Sequence, residues 1–117
     1  VLIATGQALD EEMRERIARH QRERARRVPG LRTVEEPRAL ADAVHAHAAA
    51  NTLVVIDCLT LWLTNLLMPA DGAPRDSVEP VAGLRRAIER AAGPVVLVSN
   101  EIGLGVIPLG RETRAFV

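Results

Sequence analysis

Two apolar runs without polar alternation, LVVIDCLT at residues 53–60 and VVLVSNEIGLGVIP at residues 95–108, leave this chain few architectures. A strand with one face in water alternates apolar and polar residues, whereas an unbroken β-branched stretch suits a parallel strand covered on both faces. Parallel strands must be joined by crossovers, usually helices. Such α/β sheets collect their chemistry at the carboxyl ends of the strands. Asp57, Asn100 and Glu101 fall at those ends.

The remaining segments supply the helices. Residues 1–4 followed by Thr5-Gly6 read as a short strand and its exit turn. Asp10 is placed to cap a helix whose first turn carries Glu11 and Glu12, where the dipole favours negative charge, and which runs to about residue 27 before Val28-Pro29-Gly30 breaks it. A brief strand at 32–35 precedes an Ala-rich helix opened by Pro37 and running to about residue 50. Residues 53–57 are the clearest strand. Residues 60–68 are apolar nearly all round, a buried helix with Trp62 in the core, and 69–77 form an exposed loop rich in Pro, Asp and Gly. Ser77 caps an amphipathic helix with Val81, Leu84 and Ile88 inward, stopped by Gly93-Pro94. A strand at 95–99 and a helix beginning at Arg111 complete the alternation. The expectation is one α/β domain over residues 1–117 with a parallel sheet.

Charge and cysteine content narrow the partners. Fifteen Arg, no Lys and fifteen Asp and Glu leave a formal net charge of zero, which offers no global field for nucleic acid or an acidic membrane. Small-molecule partners are expected. Cys58 is the one cysteine, so no intrachain disulfide is possible, and it reads as a reduced core thiol in a cytoplasmic protein. No signal peptide or membrane span is visible.

The first helix carries the sharpest signal. At about 100° per residue, Leu9, Met13, Ile17, His20 and Arg24 fall on one face, so the inward stripe turns polar halfway along. Either the helix leaves the body there and its last turns are solvated, or His20 is a nucleophile or acid–base group and Arg24 a phosphate clamp. Asp57 is equally two-sided: a strand-end Asp holds Mg²⁺ in phosphoryl-transfer enzymes, and it also caps helices. Asn100-Glu101 with Gly103 and Gly105 either presents Glu101 to a ligand or only turns the chain. His47 falls on the packed face of its helix and His45 on the solvated one.

Four blocks together, IATGQALDEEMRERIARHQRER at 3–24, RTVEEP at 32–37, VVIDCLTLWLTNLL at 54–67 and VVLVSNEIGLGVIPLGRETRAF at 95–116, resemble the bifunctional adenosylcobinamide kinase / adenosylcobinamide-phosphate guanylyltransferases of cobalamin biosynthesis. The resemblance implies a P-loop NTPase-like (RecA-like) three-layer sandwich and a cytoplasmic homo-oligomer. It implies that His20, in RI-x-x-H, takes GMP from GTP as a covalent intermediate. It also implies nucleotide contacts at Ala4, Thr5 and Gly6, at Gln21, Arg22, Glu23 and Arg24, and at the acidic positions Glu35 and Asp57, with Mg²⁺ at Asp57. ATP and GTP are the implied nucleotide substrates, and adenosylcobinamide and its phosphate the acceptors. Between His20 and Arg32 the chain runs a few residues longer than the family pattern, with Leu31 in place of an aromatic residue.

Family members begin with a strand and a G-x-x-x-S-G-K-S type phosphate loop, and no such motif is present in these residues. The expectation is therefore an internal fragment lacking the backbone cradle for β- and γ-phosphates, inactive alone as a kinase. Two rivals stand beside this reading: another P-loop-type small-molecule kinase sharing only the sheet, and a non-catalytic α/β fragment.

Overall fold

A computed structural model describes residues 1–7, 10–69 and 76–99. Four strands, β1 (Leu2–Ala4), β2 (Thr33–Glu35), β3 (Val54–Asp57) and β4 (Val95–Val98), form one all-parallel sheet in the order β2-β1-β3-β4. The helices are α1 (Glu11–Arg27), α2 (Leu40–His47), α3 (Leu59–Leu67) and α4 (Val78–Arg90). The α/β class expected from the apolar runs holds. The expected features at Asn100, Glu101, Gly103, Gly105 and Arg111, and Leu9 on the first helix, lie outside the described residues.

Register decides which residues share a face. In parallel strands, paired residues point the same way. Ile3 pairs with Val34 and Ile56, and this row faces the core with Val54. Against it pack Leu40 and Val44 of α2, Trp62 and Leu66 of α3, and Leu84 of α4. The next row, Ala4 with Glu35 and Asp57, points to the opposite side, where α1 lies.

The two faces are not equally covered, contrary to the expectation of strands buried on both. Val54 and Ile56 are fully buried, but Val55 and Asp57 are only partly so, because α1 buries none of its residues. Its surface is mostly Arg and Glu, and apart from Ile17 and Met13 it has little to press on the sheet. In β4, Val96, Leu97 and Val98 are exposed, as the position at the end of the strand order allows.

Local ends follow sequence chemistry with some shifts. Asp10 caps α1 by accepting from Met13 N at 2.7 Å. The chain turns after α1 at Gly30, whose φ of 86° suits glycine. Helix α2 begins at Leu40 rather than Pro37, because the Glu36 carboxylate holds the backbone N–H groups of Arg38 and Ala39 in a turn, at 3.2 and 3.1 Å. It stops at His47, where Ala48 turns extended and Ala49 bridges Thr52. Leu53 lies outside β3 and is exposed. Ser77 occupies the N-cap position of α4 without a side-chain bond, and Asp76 accepts from Val78 N at 3.0 Å instead. Val81, expected inward, is exposed beside the buried Leu84. His47 is half-buried and His45 exposed, as expected.

Before β4, Gly93 passes against the α2–β3 connection. A Cβ there would run into the carbonyl oxygens of Ala49 and Thr52, backbone atoms that cannot swing aside. Gly93→Ala is therefore expected to lower unfolding free energy by about 2–4 kcal/mol, read as a lower urea midpoint.

Candidate nucleotide-transfer site

The carboxyl ends of β1, β2 and β3 are tied to one another. Thr5 is fully buried, and its hydroxyl donates to Cys58 O at 2.7 Å while accepting from Cys58 N at 3.0 Å. Its own N–H donates to Asp57 O at 3.0 Å. From α3, Asn65 reaches Thr5 O at 2.7 Å and Pro37 O at 2.9 Å, and Trp62 Nε1 donates to Arg38 O at 2.8 Å. Glu36 N closes the circuit on Ala4 O at 2.9 Å. Each strand exit thus shares a buried polar partner with another, which fixes Ala4, Glu35 and Asp57 in position.

Above this floor lies a cleft of about 370 Å³ lined by Ala4, Gly6, Glu35 and Asp57 from the sheet side and by Arg16, His20 and Arg24 from α1, among others. Glu35 and Asp57 both pair with Ala4, one on each side, which places their Cα atoms about 10 Å apart at twice the inter-strand spacing. Ile17 seats the helix on the strand exit, its Cδ1 lying 3.8 Å from where a Cβ on Gly6 would be. Gln21 donates to the Glu35 carboxylate, tying the middle of α1 to β2.

The last turns of α1 do not leave the body, since Gln21 and Arg24 are half-buried and Arg24 and His20 line the cleft. His20 is exposed, and among the described residues no hydrogen bond engages its ring. The Nε of Arg24 is shielded from solvent with no acceptor. A buried donor left unpaired is costly, and an anion in the cleft would relieve it.

Asp57 does not cap α3. That position belongs to Cys58, whose Sγ accepts from Leu61 N at 3.4 Å, and the Asp57 carboxylate is left facing the cleft. The Asp57–Cys58 peptide is cis.

Of the expected contacts, Ala4, Gly6, His20, Arg24, Glu35 and Asp57 converge on the cleft. Thr5 adjoins it with its hydroxyl committed to Cys58, Gln21 acts on Glu35, and Arg22 and Glu23 are exposed and do not line it. Arg16 and Asn65 were not singled out from the sequence. Asn65 carried a signal, as the one amide in a helix otherwise of Leu, Trp and Thr, where a buried polar group must find partners.

Glu35 and Asp57 line the one cleft, and among the described residues no group of three acidic, His or Cys side chains is placed to hold a metal ion. The Asp57 carboxylate suits Mg²⁺, which is commonly held by one or two carboxylates together with substrate phosphates.

The profile of the family described as cobinamide kinase / cobinamide phosphate guanyltransferase matches residues 1–117. The chain belongs to this family. It is similar to the bifunctional adenosylcobalamin biosynthesis protein CobP of Pseudomonas aeruginosa, with 48% identity over 115 residues, covering 98% of this chain and 64% of that protein. The corresponding CobU of Escherichia coli is 36% identical, covering 97% of this chain and 67% of that protein. CobU of Salmonella typhimurium is 34% identical with the same coverage. The chain therefore spans about two thirds of the length of these relatives. Among the described residues no helix is long and apolar enough to cross a membrane.

Thr5→Val tests the floor of the site. It keeps shape but leaves Cys58 N without its acceptor, and is expected to cost about 1–3 kcal/mol in unfolding free energy by urea titration.

Proposed function

We propose that this chain carries the guanylyl-transfer centre of a bifunctional cobinamide enzyme, with His20 as the covalent carrier. The observation that bears most weight is the convergence of His20 and Arg24 on α1 with Glu35 and Asp57 at neighbouring strand ends, around one cleft.

The lone pair of neutral His20 attacks the α-phosphorus of GTP. An N–P bond forms, the bond from that phosphorus to the β-bridging oxygen breaks, and pyrophosphate leaves with the electron pair. An oxygen of adenosylcobinamide phosphate then attacks the same phosphorus, the N–P bond breaks, and the electron pair returns to the imidazole, giving adenosylcobinamide-GDP. Arg24 neutralises phosphate charge, its unpaired Nε finding an acceptor in the nucleotide. Glu35, braced by Gln21, meets donors on the nucleoside. Asp57 would hold Mg²⁺, which when bound supplies charge neutralisation at the phosphates.

The kinase step, phosphorylation of the adenosylcobinamide hydroxyl by ATP or GTP, requires a phosphate cradle of the glycine-lysine loop type. Asp57 is the residue of this chain that would serve it. Incubating the gene product that carries this chain with α-labelled and γ-labelled GTP tests the covalent reading. Label is expected on protein only from the α position, labile to acid and stable to base, as a phosphoramidate is. Base-labile, acid-stable label would place GMP on an oxygen nucleophile instead.

A further inference from the structure

Arg16 stands one turn before His20 on α1, and Arg24 one turn after. Four residues advance an α-helix by about 400°, so Arg16 and Arg24 lie about 40° to either side of His20 and about 6 Å up and down the axis. All three line the same cleft. Among the described residues the Arg16 guanidinium has only Glu12, at 3.4 Å and with both side chains largely exposed, a pair too weak to hold it against an anion. Gly6, Cys58 and Leu61 line the same cleft beside the carboxylates Glu35 and Asp57, and of these Glu35 is engaged by Gln21 further along α1. A cation with a weak surface partner, one helical turn from a nucleophile and lining the same cleft, is placed for phosphate.

Granting His20 as the guanylyl carrier, we infer that Arg16 is a further catalytic residue, its guanidinium binding a nonbridging oxygen of the reacting α-phosphate while Arg24 binds the other. Attack by the imidazole crowds five substituents onto that phosphorus and concentrates negative charge on its nonbridging oxygens, which a fork of N–H donors stabilises. The same oxygens carry the charge when the acceptor displaces His20. Arg16 therefore serves both formation and discharge of the N–P bond and takes no proton in either.

The test is Arg16→Gln in the gene product, assayed with α-labelled GTP and with each of the two GTPαS diastereomers. Labelling is expected to slow about 100-fold or more, the scale of losing one preorganised donor to transition-state charge. Replacing one nonbridging oxygen by sulfur perturbs one arginine contact more than the other, so the rate ratio of the diastereomers should change about tenfold in the variant. That ratio is internal to each preparation, so a partly folded sample still reads it. Labelling within about threefold of wild type, or a slowed variant with an unchanged diastereomer ratio, would overturn the role of Arg16 and leave His20 standing. His20→Ala protein that labels like wild type would remove the carrier, and Arg16 with it.

Discussion

His20→Ala protein is expected to take no GMP from GTP and to lose guanylyl transfer by a factor of about 10⁴ or more, the scale on which covalent catalysis fails when its nucleophile is removed. The loss should come without unfolding, because His20 is exposed and α1 contributes no buried residue to the core. Melting temperatures within a few degrees of wild type are therefore part of the expectation. His45→Ala and His47→Ala provide the controls. Both sit on α2, on the opposite side of the sheet from α1, and neither lines the cleft. Their proteins should label at the wild-type rate, and equal labelling of His20→Ala would refute the assignment.

Asp57→Asn is the second large effect. The change keeps the shape of the side chain and removes its charge. Since Cys58 caps α3 and, among the described residues, no hydrogen bond engages the Asp57 carboxylate, stability should change by less than about 1 kcal/mol. Nucleotide-dependent turnover at saturating Mg²⁺ should fall about 10²- to 10³-fold, which corresponds to about 3–4 kcal/mol of transition-state charge stabilisation. Turnover within about a factor of two of wild type would make Asp57 a structural residue.

The sheet was legible in the chain because β-branched runs without alternation admit few alternatives, and its carboxyl-end carboxylate could be read from the same run. Helix α1 was legible from its cap, its acidic first turn and the Pro-Gly that follows it. The covering of the strands was not. Residues 53–57 look alike on both faces, yet the partner across one face is a helix of Arg and Glu that leaves Val55 and Asp57 half open. The starts of α2 and α4 depended on which carboxylate found the free N–H groups, Glu36 and Asp76 rather than the positions nearest the pattern. The role of Thr5 was hidden for a related reason. Nothing local in Ala-Thr-Gly says that its hydroxyl will be consumed by Cys58, a partner 53 residues away. His20 was legible as a break in an apolar stripe, but that pattern alone does not distinguish a frayed helix end from a lined cleft. The Gln21–Glu35 bond and the shielded Arg24 separate the two.

The most direct test is to locate the covalent nucleotide. Wild-type gene product is incubated with GTP, digested under alkaline conditions that preserve a phosphoramidate, and sequenced by mass spectrometry. The GMP adduct is expected on the peptide containing His20, on the imidazole, and to disappear when cobinamide phosphate is added before digestion. An adduct on any other residue, or one on His20 that the acceptor does not discharge, would contradict the proposed transfer centre.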